Sequence, residues 1–162
     1  MTRALLAALF CVAASAASAA GDDPSAIARS VGQKFDAACS AGDVKAVLEL
    51  YRDDARVVYP GAGQVAANKG ELRHIVEQTC VGGGPRITLV GYRAVWIDAA
   101  HTAIGALGDW SMSGTDPDGK PLSIPLRATE VIVKTPAGWR YAVDHASIGV
   151  PPPPPKPQAS GN

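Results

Sequence analysis

The feature that most constrains this chain is a change of period. Up to about residue 80 the apolar residues recur at helical spacing. From Arg86 onward they alternate with period two as far as Ile148. Strands are expected at 87–98, 102–113, 122–134 and 139–148, joined by Ala99-Ala100-His101, Asp116-Pro117-Asp118-Gly119 and Thr135-Pro136-Ala137-Gly138. Connections this short, rich in Gly, Pro and Asp, make hairpins, so consecutive strands pair antiparallel. Such a sheet must bury one face, and the helical half of the chain is there to cover it. The expected fold is α+β: three N-terminal helices packed in a strongly curved antiparallel sheet.

The helices announce themselves by their caps. Asp23-Pro24 is an N-cap followed by proline at the first helical position, and Ile27, Val31, Phe35, Ala38 and Cys39 continue one stripe. Asp43 opens a second, short helix with Val44, Val47, Leu48 and Tyr51 on one side, ending near Arg52-Asp53-Asp54. A brief extended piece, 55–59, stops at Pro60-Gly61. A third helix runs from about Gly70 to Cys80 with Leu72, Ile75, Val76 and Thr79 inward, and Gly82-Gly83-Gly84-Pro85 closes it. No internal repeat is visible.

The two ends read differently. Residues 1–20 carry one early charge, Arg3, then the apolar run 4–14, then Ala17-Ser18-Ala19 as a cleavage-like site, which is the pattern of a signal peptide. The run is too short for a membrane span, which takes roughly 20 apolar residues. Residues 151–162 open with five prolines and have no side chains suited to a core, so a disordered, Pro-rich tail is expected. That leaves one domain, 21–150, in a periplasmic or secreted protein. Its 15 basic residues balance 15 acidic ones. With no basic stretch, neither nucleic acid nor, after signal cleavage, a membrane is an expected partner. In an exported protein Cys39 and Cys80, both at helix ends and both continuing apolar stripes, are expected to form a disulfide; two separate buried thiols are the alternative.

Several phrases in order carry a family resemblance: Ala41-Gly42-Asp43-Val44 leading to Leu50-Tyr51-Arg52-Asp53-Asp54-Ala55, then Tyr59-Pro60-Gly61, Gly70-Glu71-Leu72, and Gly138-Trp139-Arg140 leading to Asp144-His145-Ala146-Ser147. Together they resemble the SnoaL-like and DUF4440-type branch of the NTF2-like superfamily over about residues 24–149. The resemblance implies a cone-shaped fold with an apolar cavity and pairing as a homodimer through the outer sheet face. It implies no single activity, because isomerases, dehydratases, hydrolases and assembly domains share this fold. Set beside the steroid isomerases of the superfamily, Glu130 falls where those enzymes keep an inward, protonated acid. Tyr59 stands where they place the catalytic aspartate, and Phe35 where they place a tyrosine on the first helix.

Alternation then assigns faces. On the last strand Trp139, Tyr141, Val143, His145 and Ser147 share one side and Arg140, Ala142, Asp144 and Ala146 the other. With Trp139 inside, as the family pattern suggests, His145 looks into the cone and Asp144 outward. On the preceding strand Ala128, Glu130 and Ile132 oppose Arg127, Thr129, Val131 and Val133, and the two sides are equally apolar, so the inner face stays open. His74 sits on the polar side of the third helix and His101 in a turn, while Asp116 to Gly119 lacks the later ligands of a calcium loop. Neither metal nor cofactor is implied. Asp53-Asp54 reads as turn chemistry, and Ser147 lacks a nucleophile's setting.

Three functions compete on these residues. The leading one is a binding module for a small apolar molecule, with Tyr59, Trp110, Glu130 and His145 supplying oriented polar contacts. A proton-transfer enzyme of isomerase, dehydratase or cyclase type would use His145 as base and Glu130 as acid. A structural or assembly domain would use the cavity for nothing.

Overall fold

The computed structural model of the chain describes residues 23–60, 64–81 and 85–148. The expected signal peptide and proline tail lie outside the described residues. In chain order the elements are α1 (Pro24–Ser40), α2 (Val44–Glu49), β1 (Tyr51–Val58), β2 (Val65–Ala66), α3 (Lys69–Cys80), β3 (Arg86–Trp96), β4 (Ala103–Thr115), β5 (Pro121–Thr135) and β6 (Gly138–Ile148).

Each helix starts where a side chain can accept from an orphan backbone N–H. Asp23 accepts from Ser25, Asp43 from Ala46, and Asn68 from Gly70 and Glu71. Glu71 reaches back to the Ala67 N–H, completing a reciprocal cap. The strands β3 to β6 follow one another as antiparallel hairpins, and the whole sheet has the order β2-β1-β6-β5-β4-β3.

Two expectations fail in the first half. The sheet is mixed, because β1 runs parallel to β6 and brings the two-residue β2 with it, so the helices are not an uninterrupted N-terminal set. The second helix ends at Glu49 instead of near Asp54, and the last residue of its expected apolar stripe, Tyr51, is a buried strand residue registered with Tyr141. Between Tyr51 and Arg56 the β1 backbone bulges, which puts Arg52, Asp53 and Asp54 in solvent. There Arg52 grips Asp54 with two hydrogen bonds of 2.8 Å and Lys69 pairs with Asp53 at 2.7 Å. Asp53-Asp54 is therefore part of a strand bulge, not a helix-ending turn.

The helices cover one face of the curved sheet. α1 lies along β3 and is tied to its free edge: Ser25 Oγ accepts from the Ala94 N–H and Asp36 accepts from the Leu89 N–H. The Cys39–Cys80 disulfide, with Cα atoms 4.8 Å apart, joins the ends of α1 and α3 and closes a separation of 41 residues. The alternative of two separate thiols is thereby excluded. Between helices and sheet the core is built from residues such as Val31, Phe35, Val47 and Leu72 against Ile104, Leu126, Ile132 and Tyr141.

The β5–β6 pair decides what faces that core. β5 is regular, with Leu126, Ala128, Glu130 and Ile132 on the covered, concave face. β6 is not. Ile132 registers with Tyr141 but Val131 with Val143, so Ala142 is an extra residue in a β-bulge. Because side chains alternate, one inserted residue exchanges the faces of everything beyond it. Tyr141 remains inside as alternation predicts, and beyond the bulge Asp144 and Ala146 turn inward while Val143, His145 and Ser147 turn out. The expected inward His145 and outward Asp144 are thus reversed.

Candidate functional site

A cleft opens between α1 and the concave face of β1, β6, β5 and β4. Its walls are the rings of Phe35, Tyr51, Tyr59, Trp110 and Tyr141 with the aliphatic Ile87, Leu126, Ala128 and Ala146. The free space is about 370 Å³ counted out into solvent. Glu130 and Asp144 are the charged side chains among the described residues lining it. They are direct cross-strand partners on β5 and β6.

Each carboxyl sits in its own hydrogen-bond setting. Tyr92 donates from its hydroxyl to Glu130 Oε1 at 2.8 Å, and its oxygen lies 3.1 Å from the Tyr141 hydroxyl. With the Tyr92 proton committed to Glu130, Tyr141 is the donor of that second bond. Glu130 Oε2 has no hydrogen-bond partner although Glu130 is 2% exposed. Tyr51 donates to Asp144 Oδ2 at 2.7 Å, and its ring packs on that of Tyr141 with centroids 4.9 Å apart. The Tyr92 ring fits only because two close neighbours lack side chains. A Cβ on Gly32 of α1 would strike the Tyr92 ring, and a Cβ on Gly108 of β4 would meet both Tyr92 and the Trp110 indole.

Burial governs the charges. Desolvation, then repulsion from Asp144, pushes the Glu130 carboxyl up to about 8, against the pull of its Tyr92 and Trp110 donors. Desolvation also raises Asp144, to about 6, with the Tyr51 hydroxyl and nearby His145 opposing. Like charges facing each other across a strand pair share a proton more readily than both ionise. Burial and mutual repulsion therefore disfavour two charges on the pair, and Glu130 is the carboxyl pushed up further. Burial raises the Tyr51, Tyr59, Tyr92 and Tyr141 hydroxyls as well, so they remain donors. Tyr59 is accordingly no base.

Of the residues singled out from sequence, the structure brings Tyr59, Trp110 and Glu130 to the cleft and leaves His145 out. His145 is exposed on the convex face, opposite Thr129. His74 is exposed and bonded to Gln78, and His101 stacks on Trp96 at 4.5 Å. Among the described residues no three His, Cys, Asp or Glu side chains converge. Sequence reasoning missed Asp144, Tyr51 and Tyr92.

Helices cupped by a bent mixed sheet, with a polar cluster at the bottom of an aromatic cleft, define an NTF2-like protein. The chain belongs to the SnoaL-like domain family, whose model matches residues 28–151. Solved structures agree on the fold. A ketosteroid isomerase-like protein from Erwinia carotovora atroseptica is 18% identical, with 80% of this chain and 99% of that one covered at a TM-score of 0.63. A dehydratase candidate of the NTF2-like family from Streptomyces avermitilis is 19% identical, covering 77% and 95% at 0.61. An NTF2-like protein with a cystatin-like fold from Novosphingobium aromaticivorans is 15% identical, covering 75% and 79% at 0.63. No curated protein matches the chain.

Proposed function

We propose that this is an exported binding domain whose cleft takes a small, mainly apolar molecule and orients it by a proton held between Glu130 and Asp144. The observation that carries the reading is the cross-strand carboxyl pair on the concave face, one oxygen of which is buried and unpartnered. Evolutionary drift to a filled apolar core would remove such groups at a gain in stability, since an unsatisfied buried oxygen costs about 1–3 kcal/mol. Trp110 lines the cleft, so its fluorescence reports binding. Titration with single-ring aromatics should change that emission and raise the melting temperature, and Ala128→Trp, which fills the cleft, should abolish both responses. No response to any ligand would leave the structural-domain reading standing.

The same pair favours a second reading, proton-transfer catalysis, because an ionised Asp144 beside a protonated Glu130 is a base beside an acid. Asp144 takes the role expected of His145. Exchange of solvent deuterium into a bound ligand's C–H positions, lost in Asp144→Asn, would establish it. Export is supported by the signal-like segment 1–20 and by the disulfide, and is tested by N-terminal sequencing of the mature protein. Homodimerisation through the convex face is supported by Val95 and Leu107, 63% and 51% exposed, and is tested by light scattering.

A further inference from the structure

The cleft has a charge but no counter-charge. Its described lining holds two carboxyls and no lysine, arginine or histidine. Asp144 accepts from Tyr51, and Glu130 accepts from Tyr92 through Oε1, with the Trp110 side chain adding a second, smaller pull. Glu130 Oε2, buried in the lining, accepts none. A carboxylate withdrawn from water needs a cation or several donors to be tolerable. Around these oxygens the walls are aromatic: Phe35, Tyr51, Tyr59, Trp110 and Tyr141. Aromatic faces attract cations and do nothing for anions.

We propose that the ligand of this cleft is a protonated amine, its ammonium lodged between Asp144 and Glu130 and its apolar body lying against the aromatic wall. The lining fits this division: two residues along from the carboxyls the inner face turns apolar, with Ala128 opposite Ala146 and Leu126 beyond. A carboxylate or phosphate ligand would add negative charge to a pair already short of a cation. A neutral carbonyl would satisfy the Glu130 proton but place its lone pairs beside Asp144.

The charge count predicts a coupled proton. An ammonium beside Glu130 favours the ionised form, so the O–H bond of Glu130 breaks and its proton leaves to solvent as the amine enters. The other titratable groups facing the pair are the Tyr51, Tyr59, Tyr92 and Tyr141 hydroxyls, which stay protonated, and His145 on the opposite face of β6. Affinity therefore strengthens as pH rises through the range of Glu130, until the amine itself deprotonates near its usual value of about 10.

This inference rests on the binding reading above but can fail separately. The matched probes are benzylamine, benzyl alcohol and benzoate, titrated calorimetrically into the full chain in buffers of different ionisation heat. The expected results are a benzylamine affinity at least about tenfold that of benzyl alcohol near neutral pH, no benzoate binding, and release of a proton. Glu130→Gln should keep the amine preference and lose the proton release; Asp144→Asn should lose the preference. Equal affinity for amine and alcohol, or an amine affinity indifferent to Asp144→Asn, overturns the cation assignment while leaving a binding cleft. Absence of any aromatic ligand overturns both.

Discussion

Each face of the sheet departs in part from the chemistry usually given to inside and outside. The concave face, covered by helices, holds Glu130, Asp144 and the hydroxyls of Tyr51, Tyr92 and Tyr141. The convex face, open to water, shows Val95, Leu107 and Val143, which are 63%, 51% and 40% exposed. Polar groups on the covered face are costly, and apolar groups on the open face gain nothing from burial. Ala142, the extra residue of β6, sets the division, since it decides which of two adjacent side chains, Asp144 or His145, lies inside.

Deleting Ala142 should break the contrast most severely. Restored alternation would send Asp144 out and His145 in, and should destabilise by about 3 kcal/mol or more, read by urea unfolding. A deletion variant of wild-type stability would mean the bulge is incidental. Next in size is Gly32→Ala, whose methyl would displace the Tyr92 ring. The expected cost is about 1–3 kcal/mol. Loss of the Tyr92 donor should also raise the Glu130 titration further, a shift visible by infrared or NMR and not expected of a merely loosened core.

The pH dependence sharpens the comparison, because the inner carboxyls are raised whereas Asp54 and Asp98, outside the cleft, are lowered. Glu130 is raised from 4.5 to about 8 and Asp144 from 3.8 to about 6, so the folded state binds both protons more tightly than the unfolded chain does. Their stabilisation is complete below the unfolded values and is lost as pH rises through the folded ones. The melting temperature should decline on going from mildly acidic to mildly alkaline buffer, and Glu130→Gln should flatten the upper part of that decline, between about 6 and 8. A wild-type curve rising over that interval would contradict a protonated Glu130. The smallest effect belongs outside: His145→Ala should change stability by no more than about 0.5 kcal/mol and leave ligand affinity intact. Loss of binding in that variant would restore His145 to the cleft.

What was legible in the sequence was local. Asp23-Pro24 and Asp43 mark their helices because a cap acts on residues two or three positions away. The hairpins of β3 to β6 were visible because alternation and turn residues occur together. The second half of β1 was visible as the extended piece 55–59, but its start was hidden, since Tyr51 continues the stripe of α2, and so was its pairing to β6, which is parallel and some ninety residues distant. The face of Glu130 could not be read from β5, whose two sides are equally apolar; register with β4 and β6 settles it. For the site the obstacle was the bulge, a backbone event with no residue type of its own. Alternation carried through it named His145 where the fold presents Asp144.

The tie between α1 and β3 also limits how copies of this protein can meet. Ser25 takes up both backbone groups of Ala94, and Asp36 takes the N–H of Leu89, on the strand that ends one side of the sheet. At the other side the terminal strand, β2, is two residues long. A border partly tied to a helix and a border strand this short both work against a neighbouring chain zipping on, which is the usual route from stable sheet to fibril.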